Sequence, residues 1–334
     1  MPCGCNIDIV SYLNALPSPG ESAAVALDEA AGADSGKVTR SGIVAIAGRP
    51  NVGKSTLLNA MLGQKISIVS RKAQTTRQQV LGILSRDNWQ VAFIDTPGVI
   101  DPRDRLQEFM VRASFKAVSG ADLVVVMIEA RSRHDPELEE LLKRLGGLDV
   151  PRLLVINKVD LVEKESLLPL IQRFDNSGIF EAIVPVSALH GEGVEELLGE
   201  IAGRLPEGPF LYDPEQIASQ PMRFFAAELI RETIFESTRD ELPYATTVAV
   251  DEYKERAAGK IYIRALIYVE RESQKKIIIG RKGAQLKQIG RDARKKIEEF
   301  TGVGVFLELW VKVRAKWRKD LPFLQDSGFD RNQL

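Results

Sequence analysis

A glycine-rich loop between a strand-like and a helix-like segment constrains this chain more than any other feature. The loop runs from Gly48 to Ser55 and matches the pattern Gly-x-x-x-x-Gly-Lys-[Ser/Thr]. Glycines at these positions let backbone N–H groups approach phosphates, and the positive end of the following helix adds to the attraction. Lys54 is expected to reach the β- and γ-phosphates of a nucleotide, and the Ser55 hydroxyl is expected to bind Mg²⁺. The loop alone does not distinguish ATP from GTP.

Further apolar segments follow the loop, and helical patterns separate them. The predicted strands are residues 42–47, 89–94, 123–128, 153–156 and 183–186. The predicted helices are residues 55–62, 106–119, 136–145, 165–174 and 194–205. Continuous apolarity is typical of strands that helices cover on both faces. The alternation predicts an α/β domain with a mostly parallel, doubly wound sheet and a ligand at the carboxyl ends of its strands.

The order of elements changes after residues 205–221, which contain four prolines. We predict a linker at residues 206–221, between a first domain at 41–205 and an α+β second domain at 222–320. The second domain is expected to hold a helix at 223–238, strands at 246–253 and 260–270, a helix–Gly-x-x-Gly–helix unit at 274–300 and a strand at 305–313. Residues 1–40 are predicted to be a disordered extension, and residues 321–334 a C-terminal tail.

Charge is unevenly distributed along the chain. The net charge is −1, but residues 254–319 carry 19 Lys and Arg against 7 Asp and Glu. A basic C-terminal third beside an acidic remainder of the chain indicates a polyanionic partner for that third alone. Cys3 and Cys5 are the only cysteines, so a disulfide framework is excluded and a reducing cytoplasm is expected. The longest apolar runs are far shorter than the ~20 residues that cross a bilayer.

Two later motifs favour guanine over adenine. Asp95-Thr-Pro-Gly98 and Asn157-Lys-Val-Asp160 each follow a predicted strand. The Asp160 carboxylate can accept hydrogen bonds from the N1–H and amino group of guanine, and a buried carboxylate left unpaired would disfavour ATP. The loop at Ser187 is expected to support the base carbonyl. The predicted GTP-binding residues are Gly48, Arg49, Pro50, Asn51, Val52, Gly53, Lys54, Ser55, Thr56, Asp95, Thr96, Pro97, Gly98, Asn157, Lys158, Asp160, Ser187, Ala188 and Leu189.

The same motifs predict a metal site. Ser55, Thr76 and Asp95 are the predicted Mg²⁺ ligands, with Asp95 acting through water. Gly98 is expected to sense the γ-phosphate through its N–H. A polar segment before Asp95 contains two threonines, and a mobile loop there must bring one of them to the metal when the γ-phosphate is present. Thr76 is the first choice, and Thr75 is the alternative.

Lys54, Thr76 and Asn51 are the predicted catalytic residues. Asn51 has two interpretations, since it can stabilise the turn of the phosphate loop or help to bind a monovalent cation beside the phosphates. Val99, which follows the Asp-Thr-Pro-Gly motif, cannot orient an attacking water as a glutamine could. The sequence therefore predicts slow intrinsic hydrolysis or dependence on another group.

A Gly-x-x-Gly turn in the basic second domain predicts an RNA site. Such a turn lets the backbone approach a sugar-phosphate chain and clamps about four nucleotides. Between positions 275 and 296 there are nine basic residues and one acidic residue, and residues 277–279 offer an apolar surface for unstacked bases. Trp310 and Trp317 are expected to be packing residues. The predicted RNA-binding residues are Lys275, Lys276, Ile279, Gly280, Arg281, Lys282, Gly283, Lys287 and Arg291.

Together the segments GRPNVGKSTLLN, KAQTTR, DTPG, NKVD, SAL and IIGRKG resemble the Era family of bacterial GTPases. The resemblance implies a Ras-like G domain followed by a type II K-homology (KH) domain. It also implies GTP and GDP as ligands, binding to the 3′ end of 16S ribosomal RNA, and a role in maturation of the small ribosomal subunit. It associates the asparagine of the phosphate loop with K⁺-assisted hydrolysis. Family members associate peripherally with the inner face of the cell membrane, and we expect a cytoplasmic monomer.

Three interpretations of the function differ in their use of GTP. The first is a GTP hydrolase whose nucleotide state controls RNA binding. The second is a nucleotide-gated RNA-binding module with little hydrolysis of its own, which Val99 favours and Lys54, Ser55, Thr76 and Asp95 oppose. The third, a G protein that recognises only other proteins, conflicts with the basic second domain.

Overall fold

A six-stranded sheet forms the centre of the first domain. The computed structural model describes residues 38–70, 72, 75–98, 102–131, 136–147, 149–256 and 259–329. The strands are β1 (Arg40–Gly48), β2 (Val80–Ser85), β3 (Trp89–Asp95), β4 (Leu123–Glu129), β5 (Arg152–Asn157) and β6 (Ala182–Val186). Their order is β2-β3-β1-β4-β5-β6, and only β2 is antiparallel to its neighbour. The predicted mostly parallel sheet is confirmed, and β2 is the strand that the sequence did not predict.

Helices cover both faces of this sheet. They are α1 (Lys54–Leu62), α2 (Arg105–Ser119), α3 (Pro136–Leu145), α4 (Leu168–Asp175) and α5 (Val194–Ala202). Val44 and Ile46 of β1 pack in a core with α1 and α5, whereas Ile43 and Ala45 pack in a second core with α2, α3 and α4. Because successive residues of a strand face opposite sides, burial on both faces explains the continuous apolar segments. A 3₁₀ helix at Lys164–Leu167 precedes α4, so the helix predicted at 165–174 starts later.

The second domain packs three helices on one face of a three-stranded sheet. Its elements are α6 (Met222–Ser237), β7 (Thr247–Arg256), β8 (Lys260–Val269), α7 (Glu272–Ile279), α8 (Ala284–Thr301) and β9 (Val305–Val313). The strand order is β7-β8-β9, with β8 antiparallel to β7 and parallel to β9. Ile263, Ala265 and Ile267 are fully buried, and they pack with residues of all three helices. The residues between them in β8 face away from this core.

The predicted linker lies along the first domain. The Ser41 hydroxyl donates to the Pro209 carbonyl at 2.6 Å, and the Ile83 N–H of β2 donates to the Ile217 carbonyl at 2.7 Å. The Gln90 side-chain oxygen accepts from the N–H groups of Leu211 and Tyr212 at 2.7 and 2.8 Å. Hydrogen bonds to three strands therefore hold this segment in place.

The C-terminal segment is not a tail over its described length. Residues Leu321–Asp326 form a helix, α9. Phe323, Leu324 and Phe329 are buried in a cluster with residues of α2 and with Trp317. The tail prediction at 321–334 is therefore wrong for residues 321–329, because a partner surface on the first domain, which no local pattern reveals, orders them.

The other end of the chain begins its described part at Val38. Arg40 starts β1, and the Thr39 hydroxyl donates to the Gly208 carbonyl at 2.9 Å, so the first domain begins slightly before residue 41. Most of the predicted extension, residues 1–37, lies outside the described residues, as does Val99. Among the helices that the structure describes, none is both long and apolar enough to cross a membrane.

Candidate nucleotide site and nucleic-acid interface

The phosphate loop turns at the carboxyl end of β1, where its backbone requires small residues. Gly48, Asn51 and Gly53 have φ angles of 152°, 65° and 104°. A Cβ atom on Gly53 would lie 2.3 Å from the Asn157 amide nitrogen, so only glycine fits. Gly53 also precedes the first turn of α1, whose N–H groups have no partners within the helix. The loop and the helix start therefore form a site for anions.

Lys54 is buried under this loop. It is 6% exposed, and its Nζ donates to the carbonyls of Gly48 and Arg49 at 3.0 and 2.8 Å. Burial lowers the pKa of Lys54 to about 8, although the charge of Asp95 opposes the shift. A polyphosphate in the loop would supply the negative charge that stabilises a buried ammonium.

Three hydroxyl groups surround the Asp95 carboxylate. Ser55 and Ser67 donate to Asp95 Oδ2 at 2.7 and 2.9 Å, and the Thr76 hydroxyl lies 2.8 Å from that of Ser55. Burial raises the pKa of Asp95, and Lys54 with the three hydroxyls opposes this. Asp95 Oδ1 is buried and has no hydrogen-bond partner among the described residues. An unpaired carboxylate oxygen beside two further oxygen ligands fits a hydrated Mg²⁺ ion.

The hydrogen bonds of the two candidate threonines, Thr75 and Thr76, distinguish their roles. The Thr75 hydroxyl donates to the Lys72 carbonyl at 2.8 Å, whereas the Thr76 hydroxyl lies in the Asp95 network. This geometry supports Thr76 as the metal ligand. Ser67 belongs to the same network, and no motif in the sequence marks it.

Asn157 joins the phosphate loop to the base side of the site. Its Nδ2 donates to the Val52 carbonyl at 2.7 Å, and its Oδ1 accepts from the Ala188 N–H at 3.0 Å. The side chain is almost fully buried, at 2% exposed. Asn157 thus ties three loops together, and this role needs no direct contact with the base.

Asp160 lies at the mouth of the pocket. It is exposed, and its Oδ1 accepts from the Ser187 hydroxyl at 2.6 Å. The expected buried carboxylate is therefore not buried by the protein alone, and a base lying over it must complete its burial. Lys158 has a φ angle of 64°, donates to the Asn51 carbonyl at 2.8 Å and pairs with Glu129. Lys158 therefore spans the pocket between the phosphate loop and the base side.

The pocket formed by these groups has a volume of about 470 Å³. Its lining includes ten predicted residues beyond those of the metal network and Asn157, namely Pro50, Asn51, Gly53, Lys54, Thr56, Gly98, Lys158, Asp160, Ala188 and Leu189. The predicted residues outside its lining are Thr96, Pro97, Gly48, Arg49, Val52, Asp95 and Ser187. The Thr96 hydroxyl donates to the Ile46 carbonyl, and the Pro97 carbonyl accepts from the Ser114 hydroxyl. These two residues therefore hold β3 and α2 in place. Sequence reasoning missed the lining residues Ile68, Val69, Ser70 and Leu161.

The Gly-x-x-Gly turn joins α7 to α8 through three positive φ angles. Gly280, Lys282 and Gly283 have φ values of 72°, 50° and 78°. A Cβ atom on Gly280 would lie 2.7 Å from Gln285 Cβ, whereas one on Gly283 would meet open space. Arg281 and Lys282 are exposed at this turn. The turn therefore presents two cations on a backbone that another molecule can approach closely.

A groove of about 410 Å³ runs beside this turn, between α8 and β9. Of the predicted RNA-binding residues, Gly283, Lys287 and Arg291 line it. Lys275, Lys276 and Ile279 lie on α7, outside its lining. Ile278 is fully buried in the domain core, whereas Ile277 is 57% exposed. Ile278 therefore does not belong to the apolar surface predicted at residues 277–279, which stays a prediction for its two neighbours. The groove residues that sequence reasoning did not assign to RNA are Leu286, Gly290, Arg294, Phe306, Leu307 and Leu309.

Sequence comparisons match both domains. Residues 43–158 match the family model described as 50S ribosome-binding GTPase, and residues 241–318 match the KH domain. GTPase Era of Geobacter metallireducens is 48% identical over 291 residues, which cover 87% of this chain and 98% of that protein. GTPase Era of Lactobacillus delbrueckii is 45% identical over 295 residues, covering 88% of this chain and 98% of that protein.

Solved structures match the same arrangement. A variant of Aquifex aeolicus Era bound to GDP and AlF4⁻ has a TM-score of 0.84 and 40% identity, over 87% of this chain and 99% of that chain. Era in complex with MgGDPNP and nucleotides 1506–1542 of 16S ribosomal RNA has a TM-score of 0.84 and 41% identity, with the same coverage. Sequence, domain order and fold agree over nearly the full length of these relatives, and the chain belongs to the Era family of GTPases.

Proposed function

We propose that this chain is a Mg²⁺-dependent GTP hydrolase whose nucleotide state controls the binding of its KH domain to the 3′ end of 16S ribosomal RNA, in assembly and maturation of the small ribosomal subunit. One observation carries the proposal. Thr76 and Arg77 are adjacent in the chain, yet Thr76 belongs to the metal network and Arg77 is anchored in the KH domain.

Arg77 is buried at the junction of the two domains, at 6% exposed. Its guanidinium donates to three carbonyls of the KH domain, those of Thr246, Tyr244 and Pro243, at 2.7, 3.0 and 3.2 Å. It also lies 5.6 Å from the ring centre of Trp317. Because a buried guanidinium cannot lose these partners without a large penalty, a movement of Thr76 must move Arg77 with the KH domain or release it.

Glu232 of α6 forms a second connection. It is 1% exposed and accepts from Lys65 Nζ at 2.7 Å, from the Val69 N–H at 3.1 Å and from Lys296 Nζ at 2.9 Å. Burial alone would raise its pKa, but these hydrogen bonds hold the pKa of Glu232 below its ordinary value. Val69 lines the nucleotide pocket, and Lys296 lies on α8, the helix that follows the Gly-x-x-Gly turn. One carboxylate thus joins the nucleotide loop to the RNA-binding helix.

A third connection reaches α2, which follows the Asp-Thr-Pro-Gly motif. Asp104 caps this helix, and its carboxylate lies 3.3 Å from Arg318 of the KH domain. Phe109 of α2 packs in one cluster with Trp317. Both G-domain segments that are expected to respond to the γ-phosphate therefore contact the KH domain, which is the physical requirement for coupling between the sites.

Within the nucleotide site we assign roles as follows. Lys54 holds the β- and γ-phosphates, Ser55 and Thr76 bind Mg²⁺ directly, and Asp95 binds it through water. The metal ion neutralises charge on the transferring phosphoryl group. The Asp160 carboxylate selects guanine. A family relative solved with both MgGDPNP and a segment of 16S ribosomal RNA supports this pair of ligands.

Four finer assignments rest on the sequence and the family. We propose that the Asn51 side chain helps to hold K⁺ beside the phosphates, although its φ of 65° also fits the turn-stabilising role. We propose a cytoplasmic monomer that associates peripherally with the inner face of the cell membrane. The basic segment at residues 254–319 supports a location near polyanions such as ribosomes.

Hydrolysis of γ-labelled GTP by the full chain tests the proposal. We expect Mg²⁺-dependent turnover that changes when a 16S 3′-end oligonucleotide is added, at near-physiological salt. A scrambled oligonucleotide of equal length is the control for general polyanion effects. Tight GTP binding without hydrolysis in the presence of either oligonucleotide would instead favour the nucleotide-gated binding module. An equal change in hydrolysis rate with both oligonucleotides would contradict the ribosomal RNA assignment.

A further inference from the structure

Two large aromatic side chains on β9 are exposed. Phe306 is 60% exposed and Trp310 is 54% exposed, so the prediction that Trp310 is a packing residue is wrong. Both lie on the face of the sheet that α6, α7 and α8 do not cover, because side chains alternate along a strand and Val305 faces the core. Single exposed apolar side chains are common on protein surfaces, but a contiguous exposed aromatic patch indicates an interaction site.

Phe306 is the last member of an ordered stack. The Arg256 guanidinium lies 4.7 Å from the ring centre of Tyr262. The ring centres of Tyr262 and Phe306 are 5.8 Å apart, and the angle between the two ring planes is 17°. Because β8 lies between β7 and β9, Arg256 and Phe306 approach Tyr262 from opposite sides. The stack therefore ends on the exposed ring of Phe306.

Glu308 fixes the orientation of the neighbouring rings. Its two oxygens accept from the Tyr262 hydroxyl and from the Trp310 indole N–H, each at 2.7 Å. The rings are thus held by the protein alone, and a planar ligand would need little reordering of side chains to join them.

The position of Phe306 indicates the class of ligand. Phe306 also lines the groove beside the Gly-x-x-Gly turn, where Lys287, Arg291 and Arg294 supply positive charge. Because β9 is the edge strand of the sheet, a single strand that leaves the turn through this groove reaches the open ring by crossing that edge, with its phosphates near the groove cations. Aromatic rings that stack unpaired bases beside a basic groove are a common means of binding single-stranded RNA.

We propose that Phe306 stacks a base of the RNA strand beyond the nucleotides clamped at the Gly-x-x-Gly turn, forming a second RNA subsite. Trp310 lies four residues further along the same strand, roughly 13 Å away, and offers the next stacking surface. The proposal rests on the RNA binding of the proposed function and adds a specific contact to it. It accounts for two exposed aromatic residues that the clamp alone leaves unexplained.

A double-mutant cycle on full-length protein tests the contact. Phe306→Leu removes the aromatic face and keeps an apolar side chain, and a series of 16S 3′-end oligonucleotides carries one abasic nucleotide at each position in turn. We expect Phe306→Leu to lower the affinity for the intact RNA by about tenfold, the loss predicted when one base–aromatic stacking contact is removed. We expect the same substitution to have almost no effect on one RNA of the series, the one that lacks the stacked base.

Two further variants separate stacking from fold. Phe306→Tyr should restore the affinity, and Val303→Ala, which trims a 38% exposed side chain in the turn before β9, should not change it. Equal affinity of Phe306→Leu and parent for intact RNA, or an equal loss for every abasic RNA, would overturn the subsite. If the parent chain itself did not distinguish the ribosomal oligonucleotide from a scrambled one, the proposed function would fail first, so the two failures are distinguishable.

Discussion

The nucleotide site and the RNA surface use charged groups in opposite ways. In the nucleotide site the charged Lys54 and Asp95 are at most 6% exposed, and they attract each other. Hydrogen bonds from Ser55 and from the neutral Asn157 join their loops. On the RNA surface Arg281, Lys282 and Lys287 are exposed. Buried groups act through fixed positions, whereas exposed cations act mainly through a field that salt weakens. A single substitution should therefore change the chemistry of the first site and only the strength of the second, unless it alters the clamp.

The largest effect is expected at the base-reading carboxylate. Asp160→Asn should weaken the binding of GTP and strengthen the binding of xanthosine triphosphate, because the new amide can donate to the second carbonyl of xanthine. The change in preference should approach 10⁴-fold, the order expected when a site built around two hydrogen bonds loses them. Competition binding of the two nucleotides measures this preference. Asp175→Asn, at the end of α4, is the matched control, and an unchanged GTP affinity in Asp160→Asn would remove that residue from base reading.

The clamp should show an intermediate effect. Replacing Arg281 and Lys282 by Asp-Asp reverses the local field beside the bound phosphates, and we expect a loss of about 100-fold from two charge-assisted contacts. The same double change at Lys260 and Lys319, which are exposed outside the groove, controls for net charge. Affinities for the ribosomal oligonucleotide and its scrambled form distinguish the two variants. The clamp variant should lose discrimination, and the control should lose affinity evenly. Identical behaviour of both would make the motif an ordinary turn.

A smaller effect is expected at Asn51. If its side chain helps to hold K⁺, turnover should be about tenfold faster in K⁺ than in Na⁺, since a charge beside the transferring phosphoryl stabilises its transition state. Asn51→Gly removes the amide and tolerates the positive φ, so it should abolish the difference between salts without straining the loop. Steady-state hydrolysis rates in the two salts measure this. Equal rates in parent protein would leave Asn51 only its structural role.

The site that binds the nucleotide was predictable because its motifs are local. Gly48 to Ser55, Asp95 and Asp160 each follow an apolar strand, and parallel strands bring their carboxyl ends together whatever the intervening sequence. Thr76 could be proposed from its position between two motifs. Ser67 could not, since a lone serine after a helix carries no signal.

The connections between the domains were not predictable in this way. Arg77 looks like a solvated cation in the sequence, and its partners Pro243, Tyr244 and Thr246 are backbone carbonyls far along the chain. Lys296 is one of the nine basic residues between positions 275 and 296, yet it pairs with Glu232 and Glu236 of α6. Long-range packing decides each of these roles, and periodicity and spacing describe only short-range order.

The same limit explains why β2 was not predicted and why Trp310 of β9 was expected to be a packing residue. β2 at Val80–Ser85 is a short edge strand that contains Gly82, whose missing side chain leaves room for Leu58, Leu62 and Ile66. Glycine inside a short apolar segment weakens the strand signal. Trp310 looked like a core residue because tryptophan is usually buried.

The most direct test of the account measures RNA affinity in two nucleotide states. Thermodynamic coupling predicts that the chain with a GTP analogue and the chain with GDP differ in RNA affinity, by about tenfold for a coupling of ordinary size. In Arg77→Met, which removes the three donors to the KH domain, this ratio should fall close to one while GTP still binds. Arg86→Met, at a half-exposed arginine of the G domain that pairs with Glu195, should keep the full ratio. Equal RNA affinities in the two nucleotide states of the parent chain, or the same ratio in Arg77→Met and parent, would contradict the claim that Thr76 and Arg77 connect the sites.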